Sequence, residues 1–161
     1  MQGDGTLELY SARVVPEWVD YNGHLNDAYY ALIFSQSGDK LLDYIGLDAA
    51  VRAETQRTIY TTSLIIHYLR EVKLDEDVRV FIRLLEFDAK RLRLWFELRR
   101  ASGEVAALSE QVYLSIDKSG AEPKATRFSD AVLAKAGAMF EAQKHLPLPA
   151  RAGKGISLSR V

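Results

Sequence analysis

The chain contains no cysteine, which removes disulfides, thiolate metal sites and a cysteine nucleophile together. It also lacks an excess of either charge. Its 21 Lys and Arg stand against 22 Asp and Glu, a formal charge of -1, so the basic surplus of a protein that tracks nucleic-acid phosphates is missing. No apolar run approaches the ~20 residues of a membrane-spanning helix. The first ten residues lack the basic-then-apolar order of a secretory leader. The expectation is a cytoplasmic protein with no nucleic-acid or membrane partner. Three histidines, His24, His67 and His145, are scattered without metal-ligand spacing, so neither a metal nor a cofactor is expected. His67 reads as a half-buried structural residue within a strand, and His145 as a surface residue. No repeat or low-complexity block interrupts the 161 residues, a length that suits one domain with one core.

Thr6 to Val15 leans towards strand and stops at Pro16, which cannot donate to a ladder. Glu17 to Asn26 carries turn-forming residues and reads as a loop. From Tyr30, apolar and small residues recur at Ile33, Phe34, Ser37, Leu41, Tyr44 and Ile45, one face of a helix over about 27–45. Asn26 or Asp27 suits its cap and Gly46 its left-handed end. After a short polar connection come four strand-like runs, near Arg57–Leu69, Val78–Phe87, Arg91–Arg100 and Val105–Asp117. Alternation is clearest at Val78, Val80, Ile82 and Leu84 and at Leu92, Leu94, Phe96 and Leu98. Turn residues at 88–90 and 102–103 make hairpins of consecutive strands. A last helix spans about 129–143, with Val132, Leu133, Ala136, Met139 and Phe140 on its apolar side. A Gly- and Ser-rich tail, expected to be mobile, occupies about 150–161. This order implies an α+β fold, a curved and mostly antiparallel five-stranded sheet wrapped around a long central helix, with a core of about 7–117.

Reactive side chains are densest from Trp18 to Tyr30. Asp20 can attack a carbonyl or deprotonate water. Backbone N–H groups at Gly23, His24 and Leu25, just ahead of a helix, can receive a developing oxyanion. Asp20 can equally bond its own turn, Asn26 can be a plain helix cap, and His24 can serve only to orient the loop.

Asp20, Gly23 three residues on, and Tyr30 leading into a long helix resemble the signature of the hotdog-fold thioesterases related to 4-hydroxybenzoyl-CoA thioesterase. Gly23-His24-Leu25-Asn26-Asp27 is similar to the Gly-His-Val-Asn-Asn run of acyl-CoA and acyl-carrier-protein thioesterases, with Asp27 departing from the second Asn. The resemblance implies a cofactor-free hydrolase of a small acyl-CoA, with Asp20, Gly23, His24 and Asn26 as catalytic residues. The longer run from Trp18 to Tyr30 resembles the betainyl-CoA thioesterases associated with carnitine breakdown. Trp18, Tyr21, Leu25, Tyr29 and Tyr30 then face the acyl group. Trp95 and Tyr68 extend the aromatic set, which suits a ring or a quaternary ammonium.

Hotdog subunits pair into homodimers or tetramers with each site between one subunit's loop and its partner's sheet. That arrangement places Tyr60, Thr61 and Thr62 near the partner's Asp20. Arg57, Arg70, Lys73, Arg91 and Arg93 are candidates for the CoA phosphates. Another hotdog branch uses a carboxylate on the central helix, where this chain offers Asp39 and Asp43. A hydratase or dehydratase of the same fold, and a non-catalytic acyl-CoA binder, are the competing functions.

Overall fold

A computed structural model of the chain describes residues 5–156. Its elements run in the order β1 (Leu7–Arg13), a 3-10 turn (Pro16–Trp18), α1 (Asp27–Ile45), α2 (Ala49–Thr55), β2 (Arg57–Tyr68), β3 (Asp77–Phe87), β4 (Arg91–Arg100), β5 (Val105–Asp117), β6 (Lys124–Ala125) and α3 (Asp130–Gln143). Five strands form one sheet in the order β1-β3-β4-β5-β2, with every neighbouring pair antiparallel. The sheet curls around α1, the hotdog fold.

The two hairpins follow from local chemistry. At the β3–β4 turn, Asp88 Oδ1 accepts from the Lys90 and Arg91 N–H groups at 2.8 Å each. Hydrogen bonds from the Arg91 side chain hold the Asp88 carboxyl down at about 2. At the β4–β5 turn, Gly103 takes φ 88, a left-handed conformation that glycine adopts without steric cost.

Alternation along β3 and β4 then builds the core. Val78, Val80, Ile82 and Leu84 of β3 and Leu92, Leu94, Phe96 and Leu98 of β4 are all buried. They face Tyr30, Ile33, Phe34, Ser37, Leu41 and Ile45 of α1. Each large apolar side chain removed from water contributes about 1.5–3 kcal/mol. Phe34 meets Phe96 edge-on at 5.8 Å. Tyr113 of β5 reaches under α1, and a methyl group placed on Gly38 would lie 2.1 Å from its hydroxyl oxygen. The helix is capped at Asn26, whose side chain accepts from the Ala28 N–H at 3.0 Å. It ends at Gly46 with φ 84.

Four features depart from the sequence reading. Tyr44 is exposed, because the tight Gly38–Tyr113 contact and Leu42 rotate the buried stripe away from it. The polar connection contains α2, started by Asp48, whose carboxylate accepts from the Val51 N–H at 3.0 Å. The short β6 pairs with the end of β5. The first part of the segment expected to trail free is packed. Gly153 N–H donates to Glu110 Oε2 at 2.8 Å, and just ahead of the segment Arg83 donates to the Leu146 and Pro147 carbonyls. Trp95, flanked in register by Arg83 and Glu110, is buried on this outer face of the sheet. Apolar and charged groups on that face thus hold the chain as far as Gly153, Ile156 is exposed, and 157–161 lie outside the described residues.

The last helix, α3, packs Val132, Ala136 and Met139 into the core, with Leu133 and Phe140 partly buried beside them. Its final residue, Gln143, accepts from the Leu84 N–H at 2.9 Å and donates to the Ile82 and Gly5 carbonyls at 3.2 Å.

Replacing Gly38 with alanine should cost about 1–3 kcal/mol by overpacking. Urea melts should show the loss, and a Gly38→Ala/Tyr113→Phe double variant should recover part of it, because the phenolic oxygen is the clashing atom.

Candidate active site

The loop ahead of α1 is a small hairpin lying outside the main sheet. Val19 bridges Leu25 in antiparallel fashion. Asp20 N–H donates to the His24 carbonyl and Gly23 N–H to the Asp20 carbonyl, both at 3.0 Å. The reversal needs a left-handed residue, and Gly23 supplies it at φ 80. A second backbone pairing ties this hairpin to the crossing between β2 and β3. His24 bridges Lys73, and Leu25 N–H donates to the Val72 carbonyl at 2.7 Å. Leu25 and Val72 are both buried, so the clamp is anchored in the core.

Asp20 is half-buried at the head of the turn. Its Oδ1 accepts from the Asn22 N–H at 2.8 Å, while Oδ2 accepts nothing among the described residues. The carboxylate is therefore oriented by one bond and keeps one oxygen available. His24 Nε2 lies 3.1 Å from Glu71 Oε2, which orients the imidazole. Tyr30 is buried and points its hydroxyl at the Arg70 carbonyl, 3.4 Å away. Burial raises its pKa to about 12, so it remains a phenol. Tyr68 packs edge-on against it at 5.2 Å and donates to the Asp27 carbonyl at 3.3 Å. These residues, with Asn22, Leu25, Leu69 and Arg70, line one open cleft of about 400 Å³.

The structure thus gathers Asp20, His24, Leu25 and Tyr30 of the expected site in one place. Asn26 caps the helix, and Gly23 shapes the turn. Trp18 and Tyr29 stack on each other at 5.9 Å and pack against the core beside the loop. Tyr21 is 97% exposed. Tyr60, Thr61 and Thr62 lie on the exposed length of β2, away from this cleft within one chain. Trp95 belongs to the other side of the sheet.

Of the three amides expected to serve as donors, Gly23 and Leu25 already donate within the chain. The N–H groups of His24 and of Asp27, the first residue of α1, have no acceptor among the described residues. The expected phosphate ligands also change. Arg57, Arg70, Arg91 and Arg93 are each paired with a carboxylate, leaving Lys73 as the unpaired member of that set. Asp39 and Asp43 are exposed on α1. Glu71 was missed by sequence reasoning, since only the long-range clamp places it against His24. Among the described residues no group of three or more His, Asp or Glu is placed to hold a metal. Among the described residues no helix is long and apolar enough to cross a membrane.

The family model of the thioesterase-like superfamily matches residues 14–136. The chain belongs to that superfamily. This thioesterase is 41% identical over 156 residues to the betainyl-CoA thioesterase of Pseudomonas aeruginosa, covering 96% of this chain and 97% of that one. It is 37% identical over its whole length to the L-carnitine dehydrogenase/betainyl-CoA thioesterase of Agrobacterium fabrum, of which it spans 32%. Among solved structures, a thioesterase candidate from Pseudomonas putida KT2440 superposes with TM-score 0.82 at 38% identity, covering 96% of this chain and 98% of the other. A Staphylococcus aureus protein solved with CoA superposes at 0.86 and 24% identity, covering 96% and 97% of the two chains, and shares the fold. The protein is a thioester hydrolase.

Gly23→Ala and Gly103→Ala each force a side chain into a left-handed turn, at a cost of about 1–2 kcal/mol. Chemical denaturation should register similar losses for the two. Steady-state thioester hydrolysis should fall only for Gly23→Ala, since only that turn holds Asp20.

Proposed function

We propose that this thioesterase hydrolyses a small acyl-CoA, betainyl-CoA, to the free acid and CoA, a step in carnitine breakdown. The observation that carries the reading is the Asp20 carboxylate, oriented through Oδ1 and open at Oδ2, in a cleft lined by aromatic rings and carboxylates. Agreement along nearly the full length of a betainyl-CoA thioesterase supports the substrate, and the fused relatives that also carry L-carnitine dehydrogenase support the setting.

In this mechanism Asp20 Oδ2 attacks the thioester carbonyl or draws a proton from an attacking water. The unpaired N–H groups of His24 and Asp27 receive the oxyanion, aided by the positive end of α1. The substrate's trimethylammonium group sits one methylene from that carbonyl. It must therefore lie beside the same helix end, whose partial positive charge opposes it. The Asp27 carboxylate and the exposed ring of Tyr68 offset that repulsion through charge and cation–π attraction. Glu71 holds His24, a positioning role.

We further infer a homodimer, or a dimer of dimers, joined along β2. This strand is a 12-residue sheet edge with Tyr60, Leu64 and Tyr68 about half exposed. Such an edge invites pairing. Antiparallel pairing of two β2 strands sets the Tyr60–Thr62 end of one against the Tyr68 end of its mate, and so beside the mate's cleft.

The test is a thiol-release screen of the native chain, Asp20→Asn and Asp27→Asn. Substrates are betainyl-CoA, its neutral carbon isostere 3,3-dimethylbutanoyl-CoA, and acetyl- and benzoyl-CoA. Asp20→Asn should lower kcat by about 10²-fold or more. Asp27→Asn should reduce the preference for betainyl-CoA over its isostere by about tenfold, or ~1.4 kcal/mol. Native turnover of the isostere as fast as betainyl-CoA would overturn the substrate assignment, and an active Asp20→Asn variant would overturn the mechanism. Light scattering of the native chain should give a dimer or tetramer mass.

A further inference from the structure

Four of the five basic residues best placed by sequence to meet CoA phosphates are occupied by carboxylates of their own chain. The basic side chains that remain without such partners include three that the fold brings together. His67 of β2 projects onto the outer face of the sheet, where the segment following α3 returns across it. There Arg151 and Lys154 join His67, Ile65, Ile66, Gly155 and Ile156 around a groove of about 280 Å³. None of His67, Arg151 and Lys154 makes an ion pair or a side-chain hydrogen bond among the described residues. The neighbouring carboxylate, Glu110, is bound by Arg93 at 2.6 Å and by the Gly153 N–H at 2.8 Å and makes no ion pair with Arg151 or Lys154.

The backbone on the other wall suits a bulky anion. Gly153 and Gly155 both take positive φ, 75 and 63, and turn the chain around Lys154. Nothing lies within 4 Å of the position a side chain would occupy on Gly155. Isoleucine on one wall and the unpaired Arg151 and Lys154 side chains beside it, with the His67 imidazole between, match an adenosine that carries phosphate groups.

We propose that this groove receives the phosphorylated adenosine end of the CoA substrate. The proposal rests on the acyl-CoA reading above and assigns residues that reading lacks. Tyr68 follows His67 in the same strand, so their side chains leave opposite faces. One enters the Asp20 cleft and the other enters the groove. The strand ends at Tyr68, and the flexible pantetheine arm passes around that end, with the thioester on one side and the phosphates on the other.

Binding of adenosine 3',5'-bisphosphate is measured by calorimetry on the native full-length chain and on the Arg151→Gln/Lys154→Gln variant. Its inhibition of acyl-CoA hydrolysis is measured in parallel. The advantage of acyl-CoA over the matching acyl-pantetheine in kcat/KM is then compared between the two proteins. The expected result is a nucleotide that binds the native chain and competes with acyl-CoA. In the variant its affinity and the acyl-CoA advantage should each fall about tenfold, the loss of one charge-assisted contact or more. Lys118→Gln, a surface lysine elsewhere, controls for net charge and should leave that ratio in place. A nucleotide that binds without competing, or a ratio unmoved by the double variant, overturns the proposal. Native protein that hydrolyses acyl-pantetheine but gains nothing from the nucleotide refutes this groove alone, whereas no hydrolysis of any thioester refutes the functional reading itself.

Discussion

The site depends on a few backbone hydrogen bonds made outside the main sheet. Leu25 N–H to Val72 carbonyl, at 2.7 Å, joins the loop before α1 to the crossing between β2 and β3. Both residues are buried, so water does not compete for the bond and its loss would leave polar groups unsatisfied in the core. Everything that lines the cleft hangs from this junction. It sets Asp20 on one bank and Tyr68, Arg70 and Glu71 on the other, and brings Glu71 against His24. The start of α1 is fixed by the same junction, because Asn26 follows Leu25 directly and caps the helix.

Local elements were readable because their causes are local. The stripe on α1, the cap at Asn26, the stop at Gly46, and the turns at Asp88 and Gly103 all follow from residues a few positions apart. Asp20 was readable as a candidate by its company. The structure shows that its turn-forming and exposed roles coexist, one oxygen for each. What could not be read were consequences of long-range pairing. No local pattern says that β1 joins β3 while β2 joins β5, and so none says that Gly23 and Leu25 spend their amides internally while His24 and Asp27 do not. The carboxylate partners of Arg57, Arg70 and Arg93 were hidden for the same reason, whereas Arg91 meets Asp88 only three residues away. Arg93 looks like a free surface cation along β4, yet cross-strand register sets it against Glu110 and Glu86. The tail's glycines read as freedom, yet within the described residues Gly153 shapes a turn against the sheet.

The two faces of the sheet divide the work. The concave face is mostly apolar and filled by α1, with Tyr113 and Gly38 in contact too close to admit a methyl group. The convex face carries a lattice of ion pairs with Trp95 buried among them, covered by the returning chain. Exposed pairs of this kind contribute little stability individually. Their effect is to remove charge from most of that surface, so that the cations left over mark a position.

Because the loop is fastened through main-chain atoms, the identities of its outward side chains are decoupled from the fastening. Tyr21, Asn22 and Glu71 are all exposed and contribute no buried contact to it. Such residues can be exchanged, and the surface at the mouth of the cleft reshaped, without disturbing how the chain folds.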